Sequence, residues 1–127
     1  MEKNIVELTG DSMSIVAGDE AVRELMKPIL GLLSEEENLT ELVINKPKWV
    51  SIETDKGWRE IKVEELTKEK LNTIASTIAA YNEQSITGEK PIISAILPDD
   101  ERVQVVIPPA VPNANISITI RKPSSTI

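Results

Sequence analysis

The feature that most limits how this chain can fold is the alternation in Asn-Ile-Ser-Ile-Thr-Ile-Arg, residues 115–121. Ile116, Ile118 and Ile120 hold every second position, with Ser117, Thr119 and Arg121 between them. Such spacing fits a strand with one apolar and one polar face, whereas a helical turn of 3.6 residues would scatter the isoleucines around its axis. Arg-Val-Gln-Val-Val-Ile, residues 102–107, repeats the pattern: Val103, Val105 and Ile107 are apolar, and Arg102 lies opposite them. If the intervening residues close a hairpin that sets Ile107 against Ile116, Arg102 falls opposite Arg121. Both guanidinium groups then leave the same face at the same end of the sheet. Like charges directly opposed are unfavourable, by up to about 1 kcal/mol when solvated. A planar donor pair of this kind suits a phosphate or a carboxylate, and the alternative is a surface ion network with Asp99, Asp100 or Glu101.

The rest of the chain reads as helix, three strands, helix, three strands. From Asp19, a candidate N-cap, the residues Val22, Leu25, Met26, Ile29, Leu30 and Leu33 trace one helical stripe. Pro28 sits inside that helix and is expected to kink it, because it has no N–H to give the carbonyl of Glu24. The acidic run at 34–38 reads as a solvated loop that ends it. Strands are expected at 41–45, 49–54 and 58–63, the last two joined through Asp55-Lys56-Gly57 with Gly57 in the left-handed position. Thr67 caps a second helix, whose buried stripe is Leu71, Ile74, Ala75, Ile78 and Ala79. Residues 91–97 are apolar on both faces, which suits a central strand covered on each side. The predicted fold class is α+β: one domain, with a largely antiparallel sheet of about six strands packed by two main helices. Residues 1–17 are expected to form a flexible N-terminal arm, 18–121 the domain, and 122–127 the start of a linker, where Pro123 breaks the last strand.

Composition excludes much of the chemistry open to a small protein. Among 127 residues there is no cysteine and no histidine, which removes disulfides, thiol nucleophiles, histidine triads and conventional zinc sites. Aromatic residues are only Trp49, Trp58 and Tyr81, so aliphatic side chains must fill the core. A net charge of −7 argues against a general phosphate-binding or nucleic-acid surface while leaving room for a local anion site. The N-terminus lacks the basic and apolar regions of a signal peptide, and no run reaches membrane-spanning length, so a cytoplasmic location is expected.

Other candidate sites read as structural. Asp99, Asp100 and Glu101 follow Pro98 between two strands, where turn chemistry accounts for them without metal or acid–base work. The five glycines begin no phosphate-cradling motif. Trp49 and Trp58 flank a hairpin among mixed charges, and cross-strand packing of the two rings is expected rather than base stacking.

The stretch PIISAILPDDERVQVVIPPAVPNANISITIRKPS closely resembles the segment that closes the N-terminal domain of type IV secretion traffic ATPases, the VirB-eleven-like members of the PilT/GspE superfamily. LTELVINKPKWVSIETDKGW and LTKEKLNTIASTIAAYNEQ resemble the same domain in the same order, and the likeness spans roughly residues 22–124. The resemblance implies a cytoplasmic ATPase peripheral to the inner membrane, assembled as a homo-hexamer that serves protein transport, pilus assembly or conjugation beside other secretion components. It implies ATP and Mg between this domain and an absent RecA-like domain that carries the P-loop. Arg102 and Arg121 match the family's R-V-Q and I-R-K-P motifs, which implies that they reach the nucleotide phosphates as catalytic and cofactor-binding residues; no metal ligand is implied here. The fragment alone is then not expected to hydrolyse ATP. A stand-alone protein-binding module is the alternative. One departure is Asp99-Asp100, where the family has Asp followed by Gly.

Overall fold

The computed structural model describes residues 18–111 and 115–123; the expected arm at 1–17 and the tail at 124–127 lie outside them. Helices α1 (Asp19–Leu25) and α2 (Lys27–Glu35) precede strands β1 (Glu41–Lys46), β2 (Trp49–Thr54) and β3 (Gly57–Lys62). Helix α3 (Lys68–Tyr81) leads to β4 (Ile92–Ile96), β5 (Arg102–Val106) and β6 (Ser117–Arg121). The strands form one sheet in the order β3-β2-β1-β6-β5-β4, and every neighbouring pair is antiparallel. Two three-stranded meanders are thus joined side by side through β1 and β6.

Among the described residues, helices cover one face only. Leu42, Ile44, Val50, Ile52, Ile93, Val103, Val105, Ile118 and Ile120 point to that face and are buried. They meet Val22, Met26, Ile29 and Leu33 from α1 and α2, and Leu71, Ile74 and Ile78 from α3. The expected helical stripes therefore do form the core. Thr67 caps α3 by accepting a hydrogen bond from the backbone N–H of Lys70 at 3.1 Å.

Three expectations are corrected. The first helix is two: it breaks at Met26, and Pro28 sits in the first turn of α2, where its missing N–H costs nothing. The N-cap of α1 is Gly18 rather than Asp19, because the Asp19 carboxylate instead accepts from the Tyr81 hydroxyl at 2.7 Å. That contact raises the Tyr81 pKa above its ordinary value, chiefly through the hydrogen bond and then through partial burial. The strand at 92–96 is not central but an edge, and Ile92 and Ile96 stay 48% and 45% exposed.

That edge is closed by side chains. The Asn82 amide accepts from the Ile96 N–H at 2.9 Å and donates to the Ile96 carbonyl at 3.1 Å. Gln84 donates to the Ser94 carbonyl at 3.0 Å. Two amides past the end of α3 thus take places that another strand would fill, which protects an apolar edge from pairing with a second chain. The β4–β5 turn is a tight one: the Asp100 N–H bonds the Leu97 carbonyl at 3.0 Å and the Leu97 N–H bonds the Glu101 carbonyl at 2.9 Å. Asp100 carries the left-handed residue of this bulged turn, at φ 70°.

Two stability outcomes follow. Asn82→Ala removes the side-chain partner of both Ile96 backbone groups at this exposed edge and lowers unfolding free energy in urea by about 0.5–1.5 kcal/mol. Asp100→Gly is neutral or stabilising by up to about 1 kcal/mol, whereas Asp100→Val costs about 1–2 kcal/mol, because only glycine occupies that backbone region freely.

Candidate functional site

The uncovered face of the sheet is built from the alternate residues of all six strands. The register lays one row across its end: Ile96 beside Arg102, Arg102 beside Arg121, Arg121 beside Glu41, Glu41 beside Glu53, and Glu53 beside Trp58. The pairing of Arg102 with Arg121 inferred from strand parity is therefore the one observed. Both arginines are exposed, on the face opposite the buried Val103 and Ile120. The row reads apolar, cation, cation, anion, anion, aromatic, with both flanking apolar residues half in water: Ile96 at 45% and Trp58 at 54% exposure.

The cations are not equivalent. Arg121 lies between Arg102 and Glu41, with its Nε 3.7 Å from Glu41 Oε1; the Arg121 side chain is 70% exposed and that of Glu41 21%. Among the described residues no ion pair involves Arg102. The acids of the nearby turn do not neutralise the pair. Asp99 turns to the other side of the sheet and holds Arg23 of α1 through two hydrogen bonds, at 2.9 and 3.0 Å. Glu101 is buried and accepts from the Asp99 N–H at 3.2 Å, so one acid shapes the turn while the other anchors it to α1. This bidentate contact holds the Asp99 carboxyl below the usual carboxylate range, with the hydrogen bond from Arg23 as the main cause. Arg102 and Arg121 are left as a donor pair able to grip an oxyanion from two sides.

At the same end of the sheet, a groove of about 650 Å³ runs where α1 and α2 meet the turn; Arg23, Lys27, Leu30, Leu33, Glu101 and Pro123 are among its walls. Lys122 follows Arg121 into this groove, and its N–H extends the β1–β6 ladder by bonding the Thr40 carbonyl at 3.3 Å. Among the described residues, no group of three or more His, Cys, Asp or Glu side chains is arranged to hold a metal ion. No described helix is long and apolar enough to cross a membrane.

The two tryptophans do not pack on each other, contrary to expectation. Trp49 faces Lys62 and Trp58 faces Glu53, at opposite ends of the β2–β3 hairpin. The Trp49 ring instead has the ammonium groups of Lys46 and Lys62 at 5.8 and 5.6 Å from its centre, a cation–π arrangement. No sequence pattern signals Glu41 or Arg23, since the contacts of both depend on pairings between distant segments.

Because Asp99 has its carboxyl pKa lowered in the folded state, the pair with Arg23 contributes stability above the ordinary carboxylate pKa of about 3.9. That contribution is lost as pH falls through the depressed folded value. Asp99→Asn is expected to flatten the acid limb of the stability profile, measured by thermal unfolding between about pH 2 and pH 6.

No family model matches the sequence. The chain is similar to the type IV secretion system protein VirB11 of Bartonella henselae, at 42% identity over 125 residues, which is 98% of this chain and 33% of the relative. It is 39% identical over 92 residues to the VirB11 of Brucella suis, covering 72% of this chain and 26% of that protein. It is 35% identical over 91 residues to the type IV secretion system protein PtlH of Bordetella pertussis, covering 72% of this chain and 27% of that protein. Among solved structures, the VirB11 ATPase of the Brucella suis type IV secretion system, in complex with sulphate, superposes with a TM-score of 0.78 and 36% identity. The match covers 85% of this chain and 32% of that one. The chain thus spans about a third of the length of the Bartonella henselae relative. Sequence and fold agree over most of its residues, and the chain belongs to the VirB11 family of type IV secretion system proteins.

Proposed function

We propose that this chain is the N-terminal domain of a hexameric type IV secretion ATPase, that it forms one layer of the ring, and that it closes over ATP held by a separate P-loop domain. The observation that carries the reading is the Arg102–Arg121 pair, directly opposed on the uncovered face and not neutralised by the acids of the adjoining turn. Two adjacent guanidinium groups on a sheet face otherwise weaken the strand pairing that holds them. An anion brought to that face removes the penalty. A Brucella suis relative was solved in complex with sulphate, a tetrahedral oxyanion.

The chemistry divides between two partners. Bound ATP with Mg supplies the phosphoryl group and its leaving oxygens. Arg102 and Arg121 supply fixed positive charge where negative charge develops, and their planar donors orient the phosphate oxygens. Both come from a rigid sheet, so their spacing is set before ligand arrives, and closure of the domain as a body brings the pair to the nucleotide. The donor set fits an anion, and neither arginine can serve as a metal ligand. In this reading residues 18–121 are the domain and Lys122 begins the linker. Work on a secreted substrate, docking on other components at the inner membrane, and a cytoplasmic position belong to the same proposal.

A chimera tests it. With this chain replacing the matching region of the Bartonella henselae relative, ATP hydrolysis is expected, and Arg102→Ala or Arg121→Ala should each lower kcat by about ten- to a hundredfold. Circular dichroism should be unchanged in both. Wild-type turnover in both variants would remove the arginines from the reaction. The chain by itself is expected to show no turnover, and protein-dependent hydrolysis by it would contradict the division of labour.

A further inference from the structure

The Arg102–Arg121 pair is asymmetric in a way that its phosphate-facing role does not require. On one side Arg121 has Arg102; on the other, directly across β1–β6, it has Glu41, at 3.7 Å from its Nε. Glu41 is itself opposed across β1–β2 by Glu53, and Glu53 is held in place by the Thr40 hydroxyl, which donates to its carboxylate at 3.2 Å. Four charges therefore stand in one row with two cations followed by two anions. Arg121 and Glu41, at the middle, relieve the like-charge contact on each side of them.

We propose that Glu41 is a built-in competitor for Arg121, a positioning residue that an incoming oxyanion must displace. The inference rests on the reading of Arg102 and Arg121 as an anion site. With no ligand, Glu41 tethers Arg121 in its row. When Arg121 turns to an anion, Glu41 loses its cation while still directly opposed to Glu53, a repulsion that the ligand has to offset. An anion with a single charge gains little from the exchange. A polyphosphate that engages both guanidinium groups gains from each, so Glu41 raises the charge threshold for occupancy and favours multiply charged phosphates over carboxylates. The tether is suited to repeated release. Its distance is long and Arg121 is 70% exposed, and contacts of that kind are weak enough to exchange readily.

The test is calorimetric titration of inorganic tripolyphosphate into this chain at low ionic strength. Glu41→Gln is expected to bind about three- to fivefold more tightly than wild type, with an unchanged unfolding midpoint. Arg121→Ala should bind more weakly, and in Glu41→Gln with Arg121→Ala most of the gain should vanish, because the competition acts through Arg121. Weaker binding by Arg102→Ala and Arg121→Ala, with no gain from Glu41→Gln, would overturn the competitor role while leaving the arginine site standing. A full gain retained without Arg121 would also overturn it, in favour of general charge repulsion. Wild-type affinity in both arginine variants, or no binding by any form, would overturn the arginine site and the competitor together.

Discussion

The arrangement of the described residues depends on the helices packing against one face of the sheet. The helices meet the aliphatic residues of alternate strand positions, and no second layer covers the other side among the described residues. Burial of Ile118, Ile120, Leu42 and Ile52 supplies the driving force, at about 25 cal/mol per Å² of apolar area removed from water. The residues between them are then fixed in direction as well as in spacing. A side chain on a well-ordered strand cannot choose its face, so Arg102 and Arg121 emerge where they do because Val103 and Ile120 are buried next to them. Core packing and site geometry are in this sense one constraint.

Charge is divided between the two sides of the sheet. Asp99 is committed to Arg23 on the helix side, where the contact ties the β4–β5 turn to α1. Glu36 is committed to Arg59 at 2.7 Å, and Lys48 and Lys62 share Glu64. These pairings commit acids to cations elsewhere on the molecule. A chain with more acids than bases can in this way keep a small cationic site in an anionic molecule.

Much of this was legible because it is local. Strand parity with a simple hairpin register sets Arg102 against Arg121, Thr67 announces α3 by its side-chain chemistry, and Gly57 takes its positive φ of 102° at the expected turn. What was hidden depends on contacts between distant segments. Residues 92–96 are apolar on both faces and read as a central strand, yet their outer edge is closed by Asn82 and Gln84, which no strand pattern can announce. Asp19 has the chemistry of an N-cap, but Tyr81, brought close by the packing of α3, takes its carboxylate. Pro28 marks a discontinuity, but the kink expected within one helix is instead a fresh start after Met26, with Pro28 in the first turn of α2. The tryptophans sit at opposite ends of their hairpin because the register, not the aromatic count, decides which residues meet.

The insertion of β6 between β1 and β5 has a consequence for how the protein is made. During synthesis the first meander and the β4–β5 hairpin emerge from the ribosome as separate pieces, each with an unpaired inner edge. They become one sheet only when the strand that ends in Arg121 has cleared the exit tunnel and slid between them. Pairing of that strand with β1 is the most non-local step in the topology and hence a slow one. A nascent chain that has not completed it displays two open edges to its neighbours. The strand that carries the arginine pair's second member is also the join between the two halves of the sheet, so the cation pair is assembled only once those halves have met.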